Sequence, residues 1–333
     1  MKRSLKIMAS ALAFACAAFS QNAAFAQSAS DAAAAYPSRP ISLVVPYPPG
    51  GTSDIVGRQL AQLLRAELGG ATIVVENKAG AATAIGATHV ARAAKDGYTL
   101  LLSAGTTFTT NPHMNDKLQY RLTDFEPVAL VTTVPFAFVV KKDFPARDIR
   151  EYAAYAKANP GKVVNATNGQ GSMVHLLGEL VAQGLDVKLN HVHYKGAAPA
   201  MADMLAGIVD SNVEALPNAV PNVNSGGYRA LAVLSAERQP LLPNVPTFRE
   251  LGFPSVVGDT WYAVFAPAGT PKPVVDKLSA ALRKTVQSPA FVEAMRKNGN
   301  EARWSTPAEL GEFTAQQSRM WGDLIRKMNI RAE

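Results

Sequence analysis

Residues 41–64 read ISLVVPYPPGGTSDIVGRQLAQLL, and this stretch decides the fold. Ile41 to Val45 is a short apolar run interrupted only by Ser42, which suits a strand covered on both faces. Pro46, Pro48, Pro49, Gly50 and Gly51 end it, since proline lacks an N–H and glycine favours turns. Over residues 54–68 apolar side chains recur at helical spacing, at Ile55, Leu60, Leu63, Leu64 and Leu68. Strand, stiff loop and helix make the first half of a parallel α/β unit.

Working outward, strands are expected over 72–75 and 99–102, with a helix over 84–94 between them. A second α/β unit follows. Its helices fall at 148–158, 172–183, 197–205 and 216–223, and its strands at 163–165, 189–192, 208–213 and 230–234. No fixed-period repeat relates the two units. The apolar runs 135–140 and 261–266 read as passages between them, which makes a hinge with a ligand cleft between two lobes. The tail is helical over 271–286. Another helix opens at Thr306-Pro307-Ala308-Glu309, with Thr as N-cap and Glu three residues on, and the tail is expected to pack on the first unit. The expected division is lobe 1 over 36–136 plus 262–333 and lobe 2 over 137–261.

The start of the chain reads as an export signal, 1–26. Lys2, Arg3 and Lys6 precede an apolar run too short to span a bilayer, and Ala24-Phe25-Ala26 suits cleavage before Gln27. Residues 27–35 read as a flexible leader. The formal charge of +7 falls to +4 without the three cations of the signal. No dense Lys/Arg block is interleaved with aromatics, so nucleic acid is not an expected partner. The only cysteine, Cys16, lies in the signal, where Phe14 disfavours lipidation. The mature chain therefore has no disulfide, thiolate metal site or thiol nucleophile, and a monomer without cofactor is expected.

In parallel sheets ligands sit beyond the carboxyl ends of strands, at helix N-termini whose first N–H groups lack partners. After the first strand come Tyr47, Pro49, Gly50, Gly51, Thr52 and Ser53, which combine a ring, close backbone approach and hydroxyl donors. After the third come Ser103, Thr106 and Thr107, a hydroxyl cluster. In the second unit Thr167, Gly169, Gly171 and Ser172 form another neutral cradle, with His175 one turn into the helix. Tyr194, Lys195 and Gly196 end the next strand, and Glu214 the one after. A small organic anion suits such a set. His191 and His193 share a strand face, but no third metal ligand stands at a telling spacing, so no metal is expected. There is no G-x-S-x-G elbow, Walker A loop or G-x-G-x-x-G. The alternatives are a hydrolase using Ser103 or Ser172, and a receptor feeding a signalling system.

PYPPGGTSDIVGRQLAQLL, VVENKAGAATAIG, DGYTLLLSAGTT, NATNGQGSMVHLLGEL, HVHYKGAAPAMADMLAGIVD, RALAVLSAERQPLLPNVPTFRELG and WYAVFAPAGTPKPVVDKL occur in this order. Together they resemble the Bug family of extracytoplasmic receptors for tripartite tricarboxylate transporters, along essentially the whole mature chain. The resemblance implies a type II periplasmic-binding-protein fold, a periplasmic location, membrane transporter subunits as partners, and di- or tricarboxylates, amino acids or aromatic acids as ligands. It also implies that the loop at Gly50–Ser53 holds a carboxylate. The chain departs from the family pattern at His193, where proline is common, at Glu214, and at Ala81-Ala82-Thr83, where glycines are common.

Overall fold

The computed structural model describes residues 35–331, so the expected signal, its cleavage point and Cys16 lie outside the described residues. In chain order the elements are β1 (Ile41–Val45), α1 (Thr52–Glu67), β2 (Ile73–Asn77), α2 (Ala84–Ala91), β3 (Thr99–Ala104), the single turns α3 (Thr106–Thr109) and α4 (Asn111–Met114), and β4 (Phe125–Val134). Then come β5 (Phe136–Lys141), α5 (Ile149–Ala158), β6 (Val164–Thr167), α6 (Met173–Leu185), β7 (Asn190–His193), α7 (Ala197–Leu205), β8 (Ser211–Ala215), α8 (Leu216–Asn224) and β9 (Tyr228–Val233). The chain closes with β10 (Thr260–Pro267), α9 (Lys272–Val286), α10 (Pro289–Lys297), β11 (Glu301–Ala302) and α11 (Pro307–Lys327).

These strands form two sheets, ordered β11-β4-β10-β3-β1-β2 and β7-β6-β8-β5-β9. Each is covered on both faces. Ile41, Leu43 and Val45 of β1 pack against Val56, Leu60 and Leu64 of α1, while Val44 faces Leu101, Phe108 and Trp261 on the other side. That two-sided burial is why ISLVV carries almost no polar alternation. In the second sheet Phe138 and Val213 face α5 and α6, and Val139 and Val233 face α7 and α8.

Three expectations are corrected here. The runs 135–140 and 261–266 mark the changes of sheet but are not linkers: beyond Pro135 they lie in β5 and β10, each interior to its sheet and therefore apolar throughout. The first crossing is Pro135 alone, so Phe136 belongs with the second sheet and Trp261 with the first. Ile55 is 39% exposed, because α1 turns Val56 rather than Ile55 to the sheet.

The tail also differs. α9 packs on α1 and β4 as expected, but α11 spans both units. Its start packs Leu310 with Phe108 and Trp261 of the first lobe. Its end, together with Ile330, buries Trp321, Leu324 and Ile325 among Leu176, Leu177 and Val256 of the second. The capping box that opens it is present: Thr306 Oγ1 accepts from Glu309 N (3.2 Å), and Glu309 Oε2 accepts from Thr306 N (2.8 Å). Thr306→Ala is expected to cost about 1 kcal/mol in urea unfolding, with Thr306→Ser near wild type. Among the described residues no helix is long and apolar enough to cross a membrane.

Candidate ligand-binding site

Strand register fixes how the two sheets meet. β1, β2 and β3 run parallel, and β10 runs against β3 with Tyr262 opposite Ala104. β4 runs against β10 with Val134 opposite Thr260, so the ends of β1, β3 and β4 lie on one edge. In the second sheet Phe136 pairs with Ala215 and Ala137 with Val233, which puts the start of β5 at the carboxyl ends of β8 and β9, beside those of β6 and β7. With only Pro135 between Val134 and Phe136, the carboxyl edges of both sheets face each other. The loops at 46–51, 78–83 and 105–106 leave the first of these edges, and those at 168–172 and 194–196 leave the second.

On the first edge α1 starts at Gly51 without a side-chain cap. Asp54 N and Ile55 N both return to Gly51 O, and the N–H groups of Thr52 and Ser53 have no acceptor among the described residues. The loop before it is rigidly held. Asp54, 4% exposed, accepts from Gly50 N (3.0 Å), Arg58 Nε (3.0 Å) and Asn77 Nδ2 (3.0 Å), and Asn77 Nδ2 also reaches Tyr47 O (3.1 Å). The Arg58 guanidinium, then the Gly50 N–H, hold the Asp54 carboxyl down to about 2. Pro49, Gly50 and Gly51 are exposed and Thr52 is half-buried.

Several expected contacts turn out to be supports. Ser53 donates to Tyr262 OH (3.2 Å), whose own acidity is suppressed by burial. The ring of Tyr47 packs on the core, and its hydroxyl is buried without a partner. Ser103 and Thr107 are fully buried and bond each other at 2.7 Å, because a strand end and the following turn bring residues four apart together. Thr106 remains half-buried, with its N–H unaccepted among the described residues. A Cβ on Gly105 would lie 2.4 Å from the Trp261 ring, so only glycine fits this turn.

On the second edge Thr167 is buried and bonds His193 Nδ1 (2.7 Å). Gly169 and Gly171 take positive φ of 126° and 72°. Gly171 N donates to His175 Nδ1 (3.0 Å), and Ser172 Oγ caps α6 by accepting from His175 N (3.2 Å). His175 is thus a 5%-exposed prop beneath the loop rather than a contact on its surface. Asn168 Oδ1, absent from the expected set, is buried there without a partner. Tyr194 donates to Asp203 (2.6 Å), Lys195 is exposed, and Gly196 starts α7 at φ 107° without a side-chain cap. Glu214 is 1% exposed rather than facing water, with Asn212 Nδ2 and Asn218 Nδ2 each donating to one oxygen at 3.0 Å.

His191 and His193 share a face, as their spacing implies, and the His175 ring lies 5.2 and 4.6 Å from theirs. Glu179 sits 3.7 Å from His175 and 3.4 Å from His191. Because His175 Nδ1 accepts the Gly171 N–H, its proton sits on Nε2, toward Glu179, which denies that nitrogen to a metal. Among the described residues no group of His, Cys, Asp and Glu is arranged to hold a metal ion. Neither Ser103 nor Ser172 bonds a histidine ring.

Comparison with known proteins agrees with this architecture. Residues 56–330 match the family described as the tripartite tricarboxylate transporter family receptor. Protein BugT of Bordetella pertussis is 38% identical over 294 residues, covering 88% of this chain and 90% of BugT. MatC from Rhodopseudomonas palustris, solved with bound malate, is 32% identical, covers 87% of this chain and all of its own, and superposes with a TM-score of 0.72. A second R. palustris protein, solved with adipate, is 30% identical over 89% of this chain and 99% of its own, with a TM-score of 0.77. The fold is thus that of the periplasmic binding proteins, and the chain belongs to the tripartite tricarboxylate transporter receptor family.

Proposed function

We propose that this chain is a periplasmic receptor that captures a small organic carboxylate between its lobes and hands it to the membrane subunits of a tripartite tricarboxylate transporter. The observation that carries this reading is the uncapped start of α1 on an edge that faces the other lobe. There the N–H groups of Thr52 and Ser53 lack acceptors, beside an exposed Gly50-Gly51. Such amides and the positive end of a sixteen-residue helix stabilise an anion without a counter-charge. Tyr47 OH and Asn168 Oδ1, buried and unpaired on opposite edges, are further polar groups that a ligand or its waters would satisfy. The ligands of the R. palustris relatives, malate and adipate, are the same chemistry.

In this reading the segment through Ala26 directs export and is removed, and the mature monomer closes about Pro135 and the return segment 234–259. The Gly50–Ser53 loop holds the carboxylate and the 168–172 loop completes its shell. Ligand-stripped mature protein is expected to gain about 2.7 kcal/mol of stability at 100 times the Kd of its ligand. A thermal-shift panel of dicarboxylates, tricarboxylates, amino acids and aromatic acids checks this, and no response across the panel rejects it.

A further inference from the structure

The turn between β2 and α2 carries an unusual run of backbone. Ala81, Ala82 and Thr83 have φ of +45°, +49° and +80°. Alanine enters this left-handed region at a cost, and β-branched threonine avoids it. Three such residues in a row persist only where something outside the turn holds them. Asn111 of α4 is one holder: its Nδ2 donates to Ala82 O (2.5 Å) and Thr83 Oγ1 (3.3 Å). Thr107 of α3 is the other, its Oγ1 2.8 Å from Thr83 Oγ1 and 2.7 Å from Ser103 Oγ. Tyr120 in turn fixes Thr107 by donating to its carbonyl (2.7 Å).

The anchors are buried, while Ala81 and Ala82 are exposed on the edge that faces the second lobe. The N–H groups of Ala81 and Ala82, which open a short 3-10 turn over Ala81–Thr83, have no acceptor among the described residues. Successive residues of one helical sense align their N–H groups, and a row of this kind forms an anion-binding concavity.

We propose that Asn111 and Thr107 are positioning residues that lock the Ala81–Thr83 turn in its left-handed form, so that its aligned N–H groups meet the ligand carboxylate ready-made. This rests on the carboxylate reading above. Without the lock the turn relaxes toward ordinary right-handed values, and binding must first rebuild it.

The test crosses Asn111→Ala with the pair Ala81→Gly and Ala82→Gly. Glycine takes positive φ without the Cβ penalty, so it substitutes for the lock. Calorimetry uses whichever of malate, succinate, adipate and citrate binds the wild type most tightly. Asn111→Ala is expected to weaken binding about tenfold, and the glycine pair to restore it to within about threefold of wild type. Thr107→Val, which keeps the shape and removes the hydroxyl, is expected to show the same rescue. An equal loss in both backgrounds, or no loss at all, overturns the proposal. In ligand-free protein the glycine pair should raise the melting temperature of Asn111→Ala more than that of wild type; equal shifts reject the lock. A wild type that binds none of the four acids sinks the carboxylate role, while the melting cycle still decides whether the lock exists.

Discussion

Asp54→Ala is expected to lower stability by about 3 kcal/mol and to weaken ligand binding at least tenfold. The carboxylate is almost fully buried and serves three donors on three segments: the loop at Gly50, its own helix at Arg58, and β2 at Asn77. Its removal leaves the Gly50 N–H and the Asn77 amide short of an acceptor, and that loss dominates. The ion pair itself adds little, because Arg58 reaches into solvent. Since Asn77 also holds Tyr47 O, the whole stretch before α1 loses its fixed path, and ligand affinity falls with it. Urea unfolding and calorimetry check the two halves separately. The sign with pH follows from the depressed acidity: this contribution is present above the ordinary aspartate value and is lost as the pH falls through about 2. A variant that binds as wild type would show that the loop keeps its path unaided.

Glu214→Gln is expected to do the reverse and stabilise the protein, by on the order of 3 kcal/mol at pH 8 and hardly at all at pH 4.5. Burial pushes the Glu214 carboxyl up to about 7, only partly offset by the Asn218 amide. An acid raised in the folded state favours folding most below its ordinary value, and that advantage is lost as the pH rises through about 7. The groups facing it are Asn212 on its own strand, Asn218 on α8 and the Tyr228 phenol, none of them cationic. Asn212 Oδ1 is buried without a partner. If the Asn212 amide turns over, this oxygen accepts from a protonated Glu214 or from the glutamine amide, so the substitution mimics the neutral acid. Unfolding free energies from pH 4.5 to 8 give the result, and a gain that does not grow with pH contradicts it.

The alternation of strand and helix was legible because burial on both faces demands apolar runs and because helices carry a 3.6-residue stripe. Thr306 announced its helix start, since capping chemistry is local. The ten-residue β4 was not seen, as FEPVALVTTV carries a proline and little alternation. The same two-sided burial made β5 and β10 read as connecting runs. The loops after the strands are legible in the sequence as segments, but the hydrogen-bond partner of each side chain is not. Ser103, Thr107 and Thr167 are hydroxyls at strand ends, and nothing local says whether such a group points at a ligand or at a neighbour. Asn111 meets Ala82 and Thr83 from 29 and 28 residues away, a pairing no local pattern encodes. The left-handed turn was hidden for a related reason, since alanine and threonine do not signal positive φ as glycine does.

The helix that ends the chain sets what the two halves can do relative to each other. Pro135 and the return segment into β10 already join them at neighbouring points, and α11 adds a third attachment with its start rooted in one half and Trp321 in the other. In the receptor reading any opening must bend the links and strain this helix, so a truncation before Trp321 would loosen the gait of the whole molecule without touching the glycine-bearing loops.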